Sequence, residues 1–240
     1  MNLIESEARQ DRLTEAFAVK ECLDPNAISV GIARTEEDKC GRLRVVTERY
    51  LDPKISYILP TDLNEQGLYV DEYEKYSIPL VAKIGCDVVG SLRLIPNLPD
   101  CIGLPINNEP KIVIDGKWKQ YILSASYELS QFANSMSYRK DNRIAIGLIK
   151  SYMGIVDTMR QYTSVAIIDD RVAAILNGPY SGFDLPKIGP SVYYLGSTST
   201  PVFININDGR QNSRLNGHPE LADFLSGRKN VPGFEWYVGP

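Results

Sequence analysis

Histidine is nearly absent from this chain of 240 residues, because His218 in the polar segment NGHPEL is the only one. A Ser-His-Asp triad or a histidine-rich metal site would have to use that residue, so we expect any acid–base chemistry to rest on other side chains. Cysteine is also scarce. The four cysteines form no Cys-x-x-Cys pair, and their spacings match neither a zinc site nor a disulfide framework. We therefore expect no metal site and four reduced, mostly buried thiols.

An excess of basic charge is missing as well. The net charge is −4 at pH 7, which argues against a nucleic-acid partner but allows a local basic patch. No stretch approaches the ~18 apolar residues of a membrane span. The charged N-terminal segment MNLIESEARQDRLTEAF lacks the apolar core of a signal peptide. P-loop, dinucleotide and nucleophile-elbow motifs are also missing. These absences predict a cytoplasmic protein without a bound nucleotide cofactor.

The composition that remains is that of an ordinary globular protein, with 43% hydrophobic and 23% charged residues. The length suits one large domain, and we find no internal repeat, low-complexity tract or obvious linker. We therefore predict a single domain over residues 1–240 with a core at about 28–206. An amphipathic helix is expected over residues 1–24, and a polar, glycine-rich tail packed over the surface is expected over 209–240.

Hydrophobic periodicity predicts the order of elements between these ends. Alternation and helical spacing predict strands at 27–33, 78–84, 88–95, 121–130, 164–168 and within 192–206, and helices at 35–50, 142–162 and 169–176. Thr35 before three acidic residues is typical of a helix N-cap. The mixed order with a central antiparallel run predicts one α/β sheet covered by helices.

Arg93 is the first candidate for a functional residue. Strand alternation places it on the face opposite Leu92 and Leu94, where a buried charge requires partners. Asp71 and Glu74 are the nearest acids in the chain topology. They predict either an ionic cluster at the mouth of an amine site or a structural salt-bridge network.

Glu128 is the second candidate. In the predicted strand over 121–130 it shares one face with Ser124, Ser126 and Ser130, whereas apolar residues occupy the other face. A carboxylate on a polar stripe in a cleft could accept a proton from an attacking amine, directly or through water. The alternative is an edge strand with a solvated face.

The chain after Glu128 offers two weaker candidates. Backbone N–H groups freed at the strand end Ser130-Gln131-Phe132-Ala133-Asn134 could bind a thioester carbonyl. Arg139, Lys140 and Arg143 lie at the start of the long helix, where a phosphate could bind, although a solvated basic helix start is equally open. The segment from Arg143 to Gly147 departs from the Arg/Gln-x-x-Gly-x-Gly/Ala pattern of coenzyme A acetyltransferases.

Three segments together resemble the group of N-acyl amino acid synthases and acyl-homoserine-lactone synthases, within the acetyltransferase-like (GNAT) superfamily. They are IARTEEDKCGRLRVVTERY (32–50), VDEYEKYSIPLVAKIGCDVVGSLRLIPN (70–97) and YELSQFA (127–133). A weaker match is SGFDLPKIGPSVYYLGSTSTPVFI, so the resemblance covers about 28–206. Departures are Glu74 where aspartate is usual and Gln131 where arginine is usual.

The resemblance implies a mixed, largely antiparallel sheet with a V-shaped split, flanked by helices. It implies that Asp71, Glu74 and Arg93 form the ionic cluster and that Glu128 is the active-site carboxylate. Acyl and carrier contacts are expected from the following residues: Arg44, Ser130, Phe132 and Ala133 for the acyl substrate, and Arg139, Lys140 and Arg143 for phosphopantetheine or its carrier.

The activity implied is transfer of a fatty acyl group from acyl-carrier protein, or from acyl-coenzyme A, to the amine of an amino acid or another small amine. No bound cofactor is expected, because the acyl-phosphopantetheine is a substrate. One alternative is acyl-homoserine-lactone synthesis from S-adenosylmethionine. The other is a binding module for an acyl chain or its carrier that has this fold but no catalysis.

Overall fold

The computed structural model describes residues 11–22, 24–54, 56–98, 102–178 and 181–240. Its strands are β1 (Ile28–Ile32), β2 (Ile78–Ile84), β3 (Asp87–Pro96), β4 (Tyr127–Asn134), β5 (Thr163–Asp169), β6 (Val192–Tyr194), β7 (Ser197–Asn205) and β8 (Tyr237–Val238). Its α-helices, apart from a helical stretch at residues 11–16, are α1 (Glu36–Tyr50), α2 (Pro105–Asn108), α3 (Lys119–Leu123), α4 (Asn142–Met159), α5 (Asp170–Asn177), α6 (Ile206–Leu215) and α7 (Pro219–Leu225).

One sheet contains all eight of these strands, in the order β6-β7-β5-β4-β3-β2-β1-β8. Neighbouring strands are antiparallel except at β4–β5 and β1–β8, which are parallel. Gly85, with φ of 57°, makes the turn between β2 and β3, as its lack of a Cβ allows. The predicted mixed, largely antiparallel α/β sheet is confirmed.

The sheet opens between β4 and β5. The two strands pair only from Tyr127–Ser164 to Leu129–Ala166, so the rest of β4, from Ser130 to Asn134, has no partner in β5. On its other edge, β4 continues to pair with β3 as far as Asn134 and Gly90. The opening is the V-shaped split that the resemblance implied.

The long helix α4 covers one face of the sheet. Asp141 caps it by accepting a hydrogen bond from the backbone N–H of Arg143 at 3.0 Å. The apolar stripe of this helix faces the core, since Ile144, Leu148 and Tyr152 are buried against residues of β1, β2 and β3. A second cluster on the other face joins Ile95 and Val165 to residues of α2 and α3. Two apolar layers therefore hold the split strands between them.

The predicted strand over 121–130 is wrong in its first half. Residues 119–123 form helix α3, which begins next to Trp118, and β4 starts only at Tyr127. The alternation misled because Tyr121 and Leu123 are exposed, whereas Ile122 packs into the second cluster. Ser124 and Ser126 therefore lie outside the strand that carries Glu128.

The predicted ends of the chain also need correction. Residues 209–240 are not a surface tail: they contain most of α6 and all of α7 and β8, and Phe224 is buried in the main core. The expected helix over 1–24 ends at residue 16 within the described part, and Val19 N–H donates to the Ile32 carbonyl as in a strand. Residues 1–10 and 23 lie outside the described residues.

The cysteines match the prediction only in part. Cys22, Cys40 and Cys86 are free thiols, but Cys86 is exposed and the other two are half-buried. Cys86 is exposed because it occupies the tip of the β2–β3 hairpin, which projects beyond the core. Cys101 lies outside the described residues.

Candidate functional site

Arg93 lies at the centre of a buried ionic cluster. Its guanidinium makes a bidentate salt bridge to Asp71, with Nη1–Oδ1 and Nη2–Oδ2 distances of 2.5 and 2.7 Å. Its Nε donates to Ser130 Oγ at 2.9 Å, and Nη1 lies 3.4 Å from Glu74. Burial lowers the pKa of Arg93, but hydrogen bonding to Asp71 and the charge of that carboxylate outweigh burial and raise it. Sequence reasoning named all four of these residues, and the fold brings them together.

A second arginine, Arg42, completes the cluster, and sequence reasoning missed it. Its side chain is fully buried and donates to Glu74 and, at 2.5 Å, to Gln131 Oε1. Burial lowers the pKa of Arg42, and this effect is larger than that of the nearby Glu74, whose charge and hydrogen bond raise it. Helical spacing is the sequence signal that could have placed Arg42 on the inward face of α1, because Val45 and Val46 lie three and four residues further along and are also buried.

A bulge in β4 lies beside the ionic cluster. Ser91 pairs with Ala133 and Arg93 pairs with Ser130, so Gln131 and Phe132 together lie opposite Leu92 alone. Gln131 has φ of 51°, in the left-handed region that side chains seldom adopt. Bulges of this kind redirect side chains next to functional sites. Here the bulge turns Gln131 toward Arg42 just where β4 leaves β5.

A polar cavity of about 480 Å³ lies in front of the split. Its acidic lining comes from Asp71, Glu72, Glu109 and Glu128. Its aromatic lining comes from four tyrosines: Tyr50, Tyr69, Tyr73 and Tyr194. Arg93 is the basic residue among the described side chains that line it. The cavity is large enough for a small organic molecule.

An apolar cavity of about 150 Å³ lies in the split itself. Residues 129–132 of β4 and 166–169 of β5 form its two walls, and Ile149 of α4 and Leu176 of α5 close it from behind. The two cavities share lining residues, among them Leu129, Ser130 and Tyr194. An apolar group in the split and a polar group in front of it would therefore meet at the same stretch of β4.

Glu128 lines the polar cavity although it is almost completely buried. Its Oε2 accepts a hydrogen bond from the backbone N–H of Ile106 at 2.8 Å. Burial raises the pKa of Glu128 to about 8, even though this N–H and the charge of Arg93 pull it down. A carboxyl with a pKa near neutrality, in a cavity, is suited to proton transfer.

The tip of the β6–β7 hairpin lies over both cavities. Leu195 and Gly196 have φ of 45° and 79°, the pattern of a tight hairpin turn. Tyr194 and Leu195 line both cavities. Burial is the main cause that raises the pKa of the Tyr194 phenol, and the nearby Glu109 and Glu128 raise it further.

Other residues proposed from the sequence lie elsewhere. Arg44 is exposed on α1 and lines neither cavity, because the inward position on the helix belongs to Arg42. Phe132 lines the apolar cavity, whereas Ala133 is buried in its pairing with Ser91 and lines neither cavity. His218, before α7, also lies outside both cavities.

The start of α4 is less open to a phosphate than its three basic residues suggested. Arg143 is bound to Asp141 through Nε and Nη2, at 3.0 and 2.7 Å, and Asp141 already occupies the helix N-cap. This pairing holds the pKa of Asp141 below its usual range. Arg139 and Lys140 are exposed just before the helix and are free to meet a partner in solvent.

The described ranges contain neither a membrane-spanning helix nor a cluster of metal ligands. No helix there is both long enough and apolar enough to cross a membrane. No group of three or more histidine, cysteine, aspartate and glutamate side chains in the same ranges could hold a metal ion.

No protein-family model and no curated protein matches the chain in sequence. Solved structures do resemble it. FeeM, an N-acyl amino acid synthase from uncultured soil microbes, superposes with a TM-score of 0.58 and 14% identity over 79% of this chain and 96% of that chain. BjaI, a CoA-dependent acyl-homoserine lactone synthase, gives 0.56 and 16% over 85% and 88% in its structure with MTA. The acyl-homoserine lactone synthase LasI gives 0.55 and 11% over 74% and 88%. These similarities confirm the predicted acetyltransferase-like fold.

Proposed function

We propose that this protein is an N-acyltransferase, which moves an acyl group from a phosphopantetheine thioester to a small amine such as that of an amino acid. One observation carries the proposal: an apolar cavity and a polar cavity meet at the split between β4 and β5, beside a buried carboxyl. The acyl chain occupies the apolar cavity and the amine occupies the polar cavity. Their reacting atoms then meet next to residues 129–131, without a covalent enzyme intermediate.

Glu128 acts as the general base in this proposal. The neutral amine attacks the thioester carbon, a C–N bond forms, and the carboxylate takes the proton from the nitrogen, directly or through water. The C–S bond then breaks, and the departing sulfur receives a proton from the Glu128 carboxyl or from water. The products are an amide and the free thiol of phosphopantetheine.

Backbone N–H groups of β4 are proposed to stabilise the oxyanion. Beyond Leu129 the strand has no partner in β5, and the bulge at Gln131 and Phe132 leaves two residues opposite one in β3. Amides left unpaired beside a cavity can donate to a carbonyl oxygen that gains negative charge. Arg93 and Asp71 support this stretch through the hydrogen bond to Ser130.

Acyl-carrier protein is the proposed donor, with acyl-coenzyme A as the alternative. A groove between α4 and α5 shares Ile149 and Leu176 with the apolar cavity and runs to Asn142 at the start of α4. The exposed Arg139 and Lys140 precede that helix. A carrier protein with an acidic surface could dock on these two residues and pass its phosphopantetheine along the groove.

The test is mass spectrometry of organic extracts from bacteria that express the protein. New acylated amines in the wild type, and their loss in Glu128→Gln, are the expected result. Glu65→Gln, an exposed acid that lines neither cavity, is the matched control and should keep the products. Acylated lactones with release of methylthioadenosine would favour the homoserine-lactone reaction. Co-purification with acyl-carrier protein and no product would favour a binding module.

A further inference from the structure

The charge of the polar cavity restricts the acceptor. Glu72 and Glu109 line it, and neither forms a salt bridge within the described part of the chain. Glu109 is half-buried, and its carboxylate accepts a hydrogen bond from the backbone N–H of Lys111 at 3.1 Å. Unpaired carboxylates around a cavity attract a cationic ligand.

Arg93 does not offset these acids for an incoming ligand. Its side chain is 3% exposed, and Asp71, Glu74 and Ser130 occupy its Nη1 and Nε donors and part of Nη2. Asp71 also neutralises its charge. A ligand carboxylate entering the cavity would therefore meet acids on several sides, and the one guanidinium there is already paired. Among the described residues that line the cavity, no lysine and no second arginine is available to bind it.

Aromatic rings make the same cavity favourable for a cation. Tyr50 and Tyr69 pack with their ring centroids 5.7 Å apart, and both line the cavity together with Tyr73 and Tyr194. Ring faces attract ammonium groups. The cavity's carboxylates act on these phenols. Burial is the larger effect on the pKa of Tyr194 and of Tyr73, and the charges of Glu109 and Glu72, respectively, raise these two pKa values further.

We infer that the acceptor is a diamine without a carboxylate, with one nitrogen that is acylated and a second that stays cationic among the cavity's carboxylates and tyrosine rings. This inference rests on the proposed function, and it narrows the acceptor from small amines in general to dicationic diamines that lack a carboxylate. The second ammonium group lies against Glu109 and Glu72. The first ammonium group gives one proton to solvent before attack and a second proton to Glu128 as the C–N bond forms. The C–S bond then breaks, and the sulfur receives the proton from Glu128 or one from water.

The test compares three acceptors with purified wild-type protein and one acyl thioester. Lysine and 1,5-diaminopentane differ only in the carboxylate, and 1-aminopentane lacks the second nitrogen. We expect kcat/KM for the diamine to exceed that for each of the other two by about tenfold or more, since an unpaired charge or an unmatched carboxylate weakens binding. If lysine is acylated as fast as 1,5-diaminopentane or faster, the cavity accepts a carboxylate and the inference is wrong. If 1-aminopentane is acylated as fast as 1,5-diaminopentane, the second ammonium group does not contribute to binding and the inference is wrong.

Glu109→Gln tests the residue assignment. The variant should lower the preference for the diamine over 1-aminopentane by about threefold to tenfold, because one carboxylate charge is removed. Glu65→Gln is the control and should leave the ratio as in the wild type. An unchanged ratio in Glu109→Gln would contradict the assignment.

A binding measurement separates this inference from the proposed function. Calorimetric titration with 1,5-diaminopentane and with lysine needs no turnover. Diamine binding without acylation of any amine would reject the N-acyltransferase and keep the diamine site. Acylation of lysine with no measurable diamine binding would keep the N-acyltransferase and reject the diamine site.

Discussion

Replacement of Glu128 by glutamine should change how stability depends on pH. The carboxyl is almost fully buried, and burial raises its pKa from the ordinary 4.5 to about 8. At neutral pH the folded protein therefore holds the protonated acid, and glutamine has nearly the same shape. Its side-chain oxygen can still accept the hydrogen bond from the Ile106 N–H, so we expect Glu128→Gln to fold.

The size of this stability change follows from the pKa of Glu128 in the unfolded and in the folded protein. Between about pH 4.5 and pH 8 the folded state keeps a proton that the unfolded state has lost, so this group makes the free energy of unfolding fall as pH rises. Each pH unit in that window is worth about 1.4 kcal/mol. From pH 5.5 to pH 7.5 the wild type should therefore lose roughly 2–3 kcal/mol that the glutamine variant does not lose.

Urea unfolding at pH 5.5, 6.5 and 7.5 measures this difference. The free energy of unfolding of Glu128→Gln should rise relative to that of the wild type as pH increases, and the exposed-site control Glu65→Gln should follow the wild type. Two parallel curves for wild type and Glu128→Gln would refute the raised pKa. At the same time the variant should lose about 10²–10⁴-fold in kcat/KM, the usual worth of a general base.

Four further predictions concern the ionic cluster, the general base, the apolar cavity and the packing of β3. Asp71→Ala should lower the free energy of unfolding by about 3–5 kcal/mol, because it leaves the buried Arg93 without its bidentate partner; a loss below about 1 kcal/mol in urea unfolding would contradict the cluster. Wild-type kcat/KM should rise with pH and rise less steeply above about 8, since Glu128 acts only when deprotonated and above that pH only ionisation of the amine still contributes; a slope that is the same from pH 6 to 9 would exclude Glu128 as the base. The apolar cavity has a volume of about 150 Å³, and a cavity of about that size can hold benzene. Thioesters with about six acyl carbons should therefore react faster than dodecanoyl thioesters. Faster thiol release from the dodecanoyl thioester would show that the cavity does not limit the length of the acyl chain. Gly90→Ala should lower the melting temperature and cost about 1–3 kcal/mol, because its Cβ would lie 2.3 Å from Ile144 Cγ2; an unchanged melting temperature would mean that α4 shifts freely.

The ionic cluster shows which parts of the site are readable from sequence. Alternation along β3 placed Arg93 opposite Leu92 and Leu94, and the structure buries those leucines in the main core. Thr35 was recognisable as an N-cap, and its side chain accepts from the backbone N–H of Asp38 at 3.1 Å. Features of this kind depend on residues close in sequence, where a period or a cap carries the information.

Features that depend on distant contacts were not readable. Arg42 meets Gln131 across 89 residues of chain, and neither residue carries a local signal for that contact. The sequence contains no glycine or turn motif that would predict the bulge at Gln131. Tertiary packing, and not the local sequence, holds this residue at a positive φ. The two residues of β8 pair with β1 through only Ile28 and Ser29, too short a run for alternation to reveal.

The most direct test of the central claim is a reconstituted reaction. Purified protein is incubated with a hexanoyl thioester of coenzyme A, or of acyl-carrier protein, and with a panel of primary amines. Free thiol and amide are then measured in the same samples. Thiol and amide should form in equal amounts, only when both substrates are present, and Glu128→Gln should slow the formation of both by about 10²–10⁴-fold. Thiol release without any amide, or amide formation at the wild-type rate in Glu128→Gln, would contradict it.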